Sequence, residues 1–317
     1  NQELEDEKLA NLFEEVESIN DNQKITFFEI LSSCFFYKAA QYSENINLIE
    51  AGLFHRFDAT NILKKNLASI VTSISKDHLD WLPKNQRTIE KIVYEKTSSL
   101  LNSKIIVSNQ SSSKVLNIIK KNISKNNSKK IIFNEHFVCS ENENGFIYYE
   151  DEIGGLKLPK PNLLGDFQID NIATAIATLR NIDFQINENH IRNGITKIKS
   201  IARLQEIKSG KLKNLCKNNK IFVDGSHNPL GAKVLNKYLD NFNCNKHIIL
   251  GMMNNKNHVE YINYFKDKIS SLTTVDIQNQ PNAINGEDLM KKLKNLKNVN
   301  YKKSIKEAIK SIDLKDN

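Results

Sequence analysis

Apolar residues recur at helical spacing from the start of the chain. Leu4, Leu9, Leu12, Phe13 and Val16 share one face of a helix expected over residues 1–19. The polar run 20–23 ends it. Thr26, with Glu29 one turn later, has the form of a capping box and opens a second helix. Its apolar face carries Phe27, Ile30, Leu31, Cys34 and Phe35. The pattern next predicts a short strand at 47–50, a loop at 51–61 and a β run at 69–74. A helix bearing Ile89, Ile92, Val93 and Lys96 follows, with strands at 104–107 and 130–133. Residues 120–130 read as an exposed helix and loop, and residues 136–158 alternate like short antiparallel strands. Ile169, Ile172, Ala173, Ile176, Leu179 and Ile182 form one stripe of a helix over 169–182, and another helix covers 188–199.

Beyond Ala202 the pattern restarts. Strands at 220–224, 246–251 and 272–276 alternate with helices at 229–242, 258–269, 286–294 and 304–312. Such alternation predicts a parallel sheet. The fold class is therefore α/β, with a domain over 1–199 and a second over 200–317. Within the second, Ile221-Phe222-Val223 reads as a buried strand that stops at Asp224-Gly225-Ser226-His227-Asn228-Pro229. An amphipathic helix with Leu230, Val234, Leu235, Tyr238 and Leu239 follows. Asp224 and His227 thus fall where an open α/β sheet places its ligand, outside the carboxyl end of a strand.

Composition narrows the class. A chain of 317 residues has room for two cores. The 45 basic and 37 acidic residues leave a net charge of +8, mostly from dispersed lysine. With no Arg-rich run and no aromatic cluster of the RNA-binding type, a nucleic-acid face is not expected. A basic surface also suits anionic small substrates. Cys34, Cys139, Cys216 and Cys244 are widely spaced, which argues against a disulfide framework or zinc knuckle and fits a reducing compartment. No apolar run spans a bilayer, and the acidic, amphipathic start is not a signal peptide. A soluble cytoplasmic protein is expected.

Several segments could carry chemistry. Glu50 closes an apolar run and opens Glu50-Ala51-Gly52-Leu53-Phe54-His55-Arg56-Phe57-Asp58-Ala59-Thr60-Asn61. His78 ends Thr72-Ser73-Ile74-Ser75-Lys76-Asp77-His78, and Glu95-Lys96 lies on the following helix. Gly165 precedes Gln168 and Asn171 in the first turn of a helix, where amides can hydrogen-bond a nucleotide base. Arg203 follows Ala202 and offers a planar fork of donors suited to phosphate.

In this order and spacing the segments resemble the folylpolyglutamate and dihydrofolate synthases of the Mur ligase superfamily. Asp224–Pro229 resembles the family's D-G-A/S-H-N-P, and residues 50–61 resemble E-V-G-L-G-G-R-L-D-A-T-N. Residues 72–78 resemble T-S-I-x-x-D-H, and residues 202–205 resemble G-R-L/F-Q. This chain departs from the family with Phe54-His55 for Gly-Gly, Ala202 for Gly, Thr97-Ser98-Ser99 after Lys96, and Asn at both acidic positions of the segment 250–257. The resemblance implies a P-loop-type central domain, here missing its N-terminal strand and P-loop, followed by a Rossmann-like domain. It implies ATP-dependent ligation of L-glutamate to dihydropteroate, to the γ-carboxyl of a reduced folate, or to both, through an acyl phosphate. The implied cofactors are ATP and Mg²⁺. Glu50, His78 and a carbamylated Lys96 would hold metal. Asn171, Arg203, Asp224 and His227 would hold ATP, and Lys96, Arg203 and His227 would act in catalysis. The expected partners are these small molecules, without nucleic acid or membrane, bound to a monomer.

That chemistry uses a G-x-x-G-K-S/T loop to cradle phosphates. Gly-Lys occurs only at Gly210-Lys211, without a following Ser or Thr. The sequence is therefore read as an N-terminally truncated ligase, and the chain as written is expected to be inactive. The alternatives are a Mur-type cell-wall ligase acting on a UDP-linked substrate, or a non-catalytic nucleotide-binding remnant.

Overall fold

The structure, a computed structural model, describes residues 3–313. Helices α1 (Asp6–Asn20) and α2 (Phe27–Ala39) form a hairpin around Leu12, Val16 and Cys34. The capping box at α2 forms: Glu29 N donates to Thr26 Oγ1, and Thr26 N donates to the Glu29 carboxylate.

A parallel sheet follows, built from β1 (Ala68–Val71), β2 (Lys104–Val107) and β3 (Lys130–Ile132) in that order, with α3 (Ile89–Thr97) and α4 (Ser113–Ile123) between the strands. Ile105, Ile106 and Val107 on the central strand are all fully buried, so both faces of the sheet are covered. Ile105 and Val107 pack with α3 and α4. Ile106 faces the other way, into a second cluster. That cluster includes an antiparallel sheet, β4 (Phe137–Glu141), β5 (Ile147–Asp151) and β6 (Gly154–Leu158), and α5 (Phe167–Asn181) and α6 (Glu188–Lys197).

The remaining strands form two sheets. β7 (Gln205–Glu206) pairs antiparallel with β8 (Phe222–Val223), with α7 (Lys211–Leu215) between them. After α8 (Pro229–Tyr238), strands β9 (His247–Leu250) and β10 (Ser271–Val275) flank α9 (His258–Asn263). Next come α10 (Gly286–Lys292), β11 (Val299–Lys302) and α11 (Ile305–Ser311). The parallel order is β11-β10-β9. Its core gathers Ala232, Leu250, Tyr261, Phe265, Leu272 and Leu289.

Several expectations change. Residues 47–50 form no strand: Leu48 is 86% exposed and the run has no neighbour to pair with. The strand expected at 220–224 shrinks to Phe222–Val223 and stays out of the β9–β11 sheet. It is not buried, since Val223 is exposed and Phe222 only half-buried. Residues 120–130 are less exposed than expected, because Ile123 is buried along with Ile119 on the inner face of α4. Strand β11, with only Val299 and Tyr301 as apolar signals, was not expected from the pattern. The helix expected over 258–269 ends at Asn263, and Phe265 is buried in the turn that follows.

Candidate active site

The loop 50–61 is fastened onto the end of α3. Asp58 accepts from Leu53 N at 2.8 Å, and from Thr60 N and Oγ1 at 3.0 and 2.6 Å. Arg56 meets Glu95 with a two-pronged ion pair at 2.8 and 2.9 Å, and Lys91 joins Glu95 at 2.7 Å. Burial alone would raise the pKa of Glu95, but the hydrogen bonds from Arg56 and Lys91 hold it below the usual value. Ser99 Oγ takes hydrogen bonds with His55 Nδ1 and Asn61 Nδ2. Arg56, Asp58 and Asn61 therefore shape the loop.

Phe54 has φ +57°, the left-handed conformation that glycine adopts freely and a bulky side chain resists. Its ring packs against the α3–α4 side of the sheet. The His78 ring stands edge-on to it with centroids 6.3 Å apart, and Lys96 Nζ lies 5.9 Å from its centre. Burial lowers the Lys96 pKa, with Asp77 and Asp58 opposing the change. Burial likewise lowers that of His78. Glu50 is exposed in the coil before this loop. Among the described residues, no three His, Cys, Asp or Glu side chains converge to hold a cation. The structure thus brings His78 and Lys96 to one aromatic ring, with Glu50 exposed in the preceding coil. An unmodified Lys96 offers a cation no oxygen, so His78 and Lys96 fit Mg²⁺ only with that lysine carbamylated.

Arg203 lies in a turn where Ala202 and Leu204 have φ +54° and +47°. Gly225 passes directly beneath it: a Cβ there would come within 2.9 Å of Arg203 Nη1. Gly225 N donates to Ala202 O at 2.8 Å. Asp224 ties the two turns together, accepting from Leu204 N and Ser226 N, both at 2.8 Å. Arg203 itself is exposed. Gly165 has φ +99° and leads into α5, where Asn171 is exposed and its amide donates to Gln168 Oε1 at 3.0 Å.

The densest polar cluster centres on Asp77. Its Oδ2 accepts from Asn228 Nδ2 at 2.9 Å and lies 3.6 Å from His227 Nε2. Its Oδ1 accepts from Lys256 Nζ at 3.2 Å and from His78 N at 2.8 Å. Asn255 Nδ2 donates to Asp80 at 3.0 Å alongside. Asn228 serves twice, because its Oδ1 caps α8 through Gly231 N while its amide reaches Asp77. The nearby carboxylate raises the His227 pKa against the opposing effect of burial. Of the residues singled out in the sequence, only His78 and His227 join this cluster. Asp77, Asn228 and Lys256 were missed as site residues, although each stands in a segment that drew attention. Their partners lie as many as 179 residues away, beyond the reach of any local pattern.

Comparison with known proteins gives these placements a context. The family model for the Mur ligase glutamate ligase domain matches residues 203–316. A dihydrofolate synthase/folylpolyglutamate synthase of Buchnera aphidicola is 27% identical over 276 residues, 86% of this chain and 59% of that protein. The Escherichia coli protein of the same name is 25% identical over 300 residues, 93% of this chain and 66% of its own length. The chain thus spans about three-fifths to two-thirds of these relatives. A solved structure of Escherichia coli FolC in complex with DHPP and ADP superposes with a TM-score of 0.82 at 25% identity, covering 97% of this chain and 69% of that one.

Proposed function

We propose that the chain is a Mur ligase of the dihydrofolate synthase/folylpolyglutamate synthase branch and serves ATP-dependent ligation of L-glutamate. The acceptor is dihydropteroate, the γ-carboxyl of a reduced folate, or both. In this reaction a carboxylate oxygen of the acceptor attacks the γ-phosphorus of ATP, forming an acyl phosphate and releasing ADP. The glutamate amine then attacks the acyl carbon, gives up a proton and expels phosphate. The Escherichia coli relative is solved in complex with DHPP and ADP.

The observation that best supports this reading is the set of donors facing one seam. His227, Asn228 and Lys256 converge on a single anionic point at Asp77, and Arg203 is exposed on the turn tied to the same loop by Asp224. Such donors stabilise charge that builds on a transferred phosphoryl group. We assign Arg203 and His227 to the phosphates and Asn171 to the base. Asp224, with one backbone amide on each oxygen, holds the Arg203 turn in place and keeps acceptor capacity for a ribose hydroxyl. Mg²⁺ enters with the nucleotide, and no step here runs through a cation held by Glu50, His78 and Lys96. Residues 1–199 would form the ATPase-type central domain, and 200–317 the C-terminal domain. Four unpaired cysteines suit a reducing cytoplasm.

A second reading, a nucleotide-binding protein without catalysis, draws on Phe54-His55 standing where the resembling family has Gly-Gly. A chimera separates the two. These residues would replace their counterpart in the Escherichia coli relative, and product would be followed with labelled glutamate. Ligation to dihydropteroate is expected. A folded chimera that binds ATP yet makes no product would favour the binding reading. Competition by a UDP-muramyl peptide would instead point to a cell-wall substrate.

A further inference from the structure

Asp77 occupies a place that suits a ligand. Its side chain is 19% exposed and that of Lys256 is 14% exposed. It is met by an ammonium, an imidazole and a primary amide from Lys256, His227 and Asn228. Two of these sit on the loop that starts α8, and the third follows β9. None is near Asp77 in sequence, so the contact exists only because the two halves of the chain meet there. Burial alone would push the Asp77 carboxyl up, yet the hydrogen bonds from His227, Asn228 and the His78 backbone hold it well below the usual carboxylate range. A cation, a raised imidazole and an amide around one point are the chemistry of an anion site. In this structure the anion belongs to the protein.

We propose that Asp77 is an internal stand-in for a phosphate group, seated among His227, Asn228 and Lys256 until a phosphate takes those donors from it. The proposal rests on the nucleotide reading above and deepens it by naming the residue that competes with the substrate. Two anions cannot share the cluster without strong repulsion. A phosphate that enters therefore displaces Asp77, and the seam held by Asp77 loosens as the site fills. The Asn255–Asp80 contact beside it carries no full charge pair and does not resist the exchange.

The test is calorimetric titration of the 317-residue protein with inorganic tripolyphosphate, comparing wild type, Asp77→Asn and Lys256→Ala. Removing the competing charge is expected to tighten binding by about fivefold or more. Lys256→Ala should abolish binding, alone or combined with Asp77→Asn. A residue that only supported the fold would give the opposite sign, so weaker or unchanged binding in Asp77→Asn overturns the proposal, as does no binding in either protein. Near-ultraviolet circular dichroism checks the fold, and Asp77→Ser repeats the measurement should the first variant not fold. ATP titrated in parallel separates this idea from the nucleotide reading. Tightened tripolyphosphate binding without any adenine preference would keep the Asp77 exchange and reject nucleotide as the ligand.

Discussion

Phe54 and Ala202 both hold a left-handed backbone at positions where the resembling family has glycine. The local path of the chain is therefore kept although the residue that makes it easy is gone. For a side chain with a Cβ this conformation costs about 1–2 kcal/mol. In Phe54 that cost is offset by ring contacts with the core and with His78. Phe54→Ala loses the ring and keeps the strain, and is expected to destabilise by about 2 kcal/mol. Phe54→Gly loses the ring but relieves the strain, so it should be more stable than Phe54→Ala by about 1 kcal/mol. Urea unfolding of the two variants decides the order, and a glycine variant weaker than the alanine one would show that the strain is not real. A second residue-scale prediction concerns Glu95. Its folded pKa is depressed from 4.5, so its stabilising contribution is present above that value and lost as pH falls through the folded pKa. Glu95→Gln should flatten the acid limb of the stability curve below about pH 4.5. An unchanged acid limb would remove Glu95 from the account. At this scale the sequence was a good guide to which segments matter, and a poor guide to what each residue does. Arg56 and Asp58 stand in the string only as positions of the 50–61 segment, and in the structure they fasten that loop.

Elements with local signals were legible, and those that depend on distant partners were not. The Thr26–Glu29 capping box and the stripe of α5 follow from short-range spacing. Thr26→Ala should cost about 1 kcal/mol, read as a lower urea midpoint without change in slope. Its failure to do so would mean that the α1–α2 hairpin opens before the rest of the chain. Residues 47–50 and 220–224 mislead for a shared reason. Apolar runs of that length give a strand only where a neighbour supplies hydrogen bonds. At 222–223 the neighbour is Gln205–Glu206, an antiparallel partner that no strand–helix alternation announces. Strand β11 shows the converse: a weak pattern becomes a strand because Leu272 to Val275 lie ready beside it.

At the scale of the molecule, the two parallel sheets have separate cores, and what joins them near the site is polar. The contacts are Asp77 with Asn228 and Lys256, Asp80 with Asn255, and the exposed Asp166–Lys237 pair at 2.6 Å. Interfaces of this composition permit relative motion of the units they join. The pairs differ in how they respond to salt. Asp166 and Lys237 are 67% and 74% exposed, so their attraction is screened over about 10 Å at 0.1 M ionic strength. Asp77 and Lys256, at 19% and 14%, are screened far less. Salt alone should therefore leave the wild-type shape in place, because the shielded contact persists. Asp77→Asn removes that contact's charge and leaves the seam to pairs that salt can weaken. Small-angle scattering is expected to show a wild-type radius of gyration that is constant between low salt and about 0.5 M. The Asp77→Asn radius should match it at low salt and grow as salt is added. If the variant stays as compact as wild type throughout, Asp77 governs the site without governing the shape.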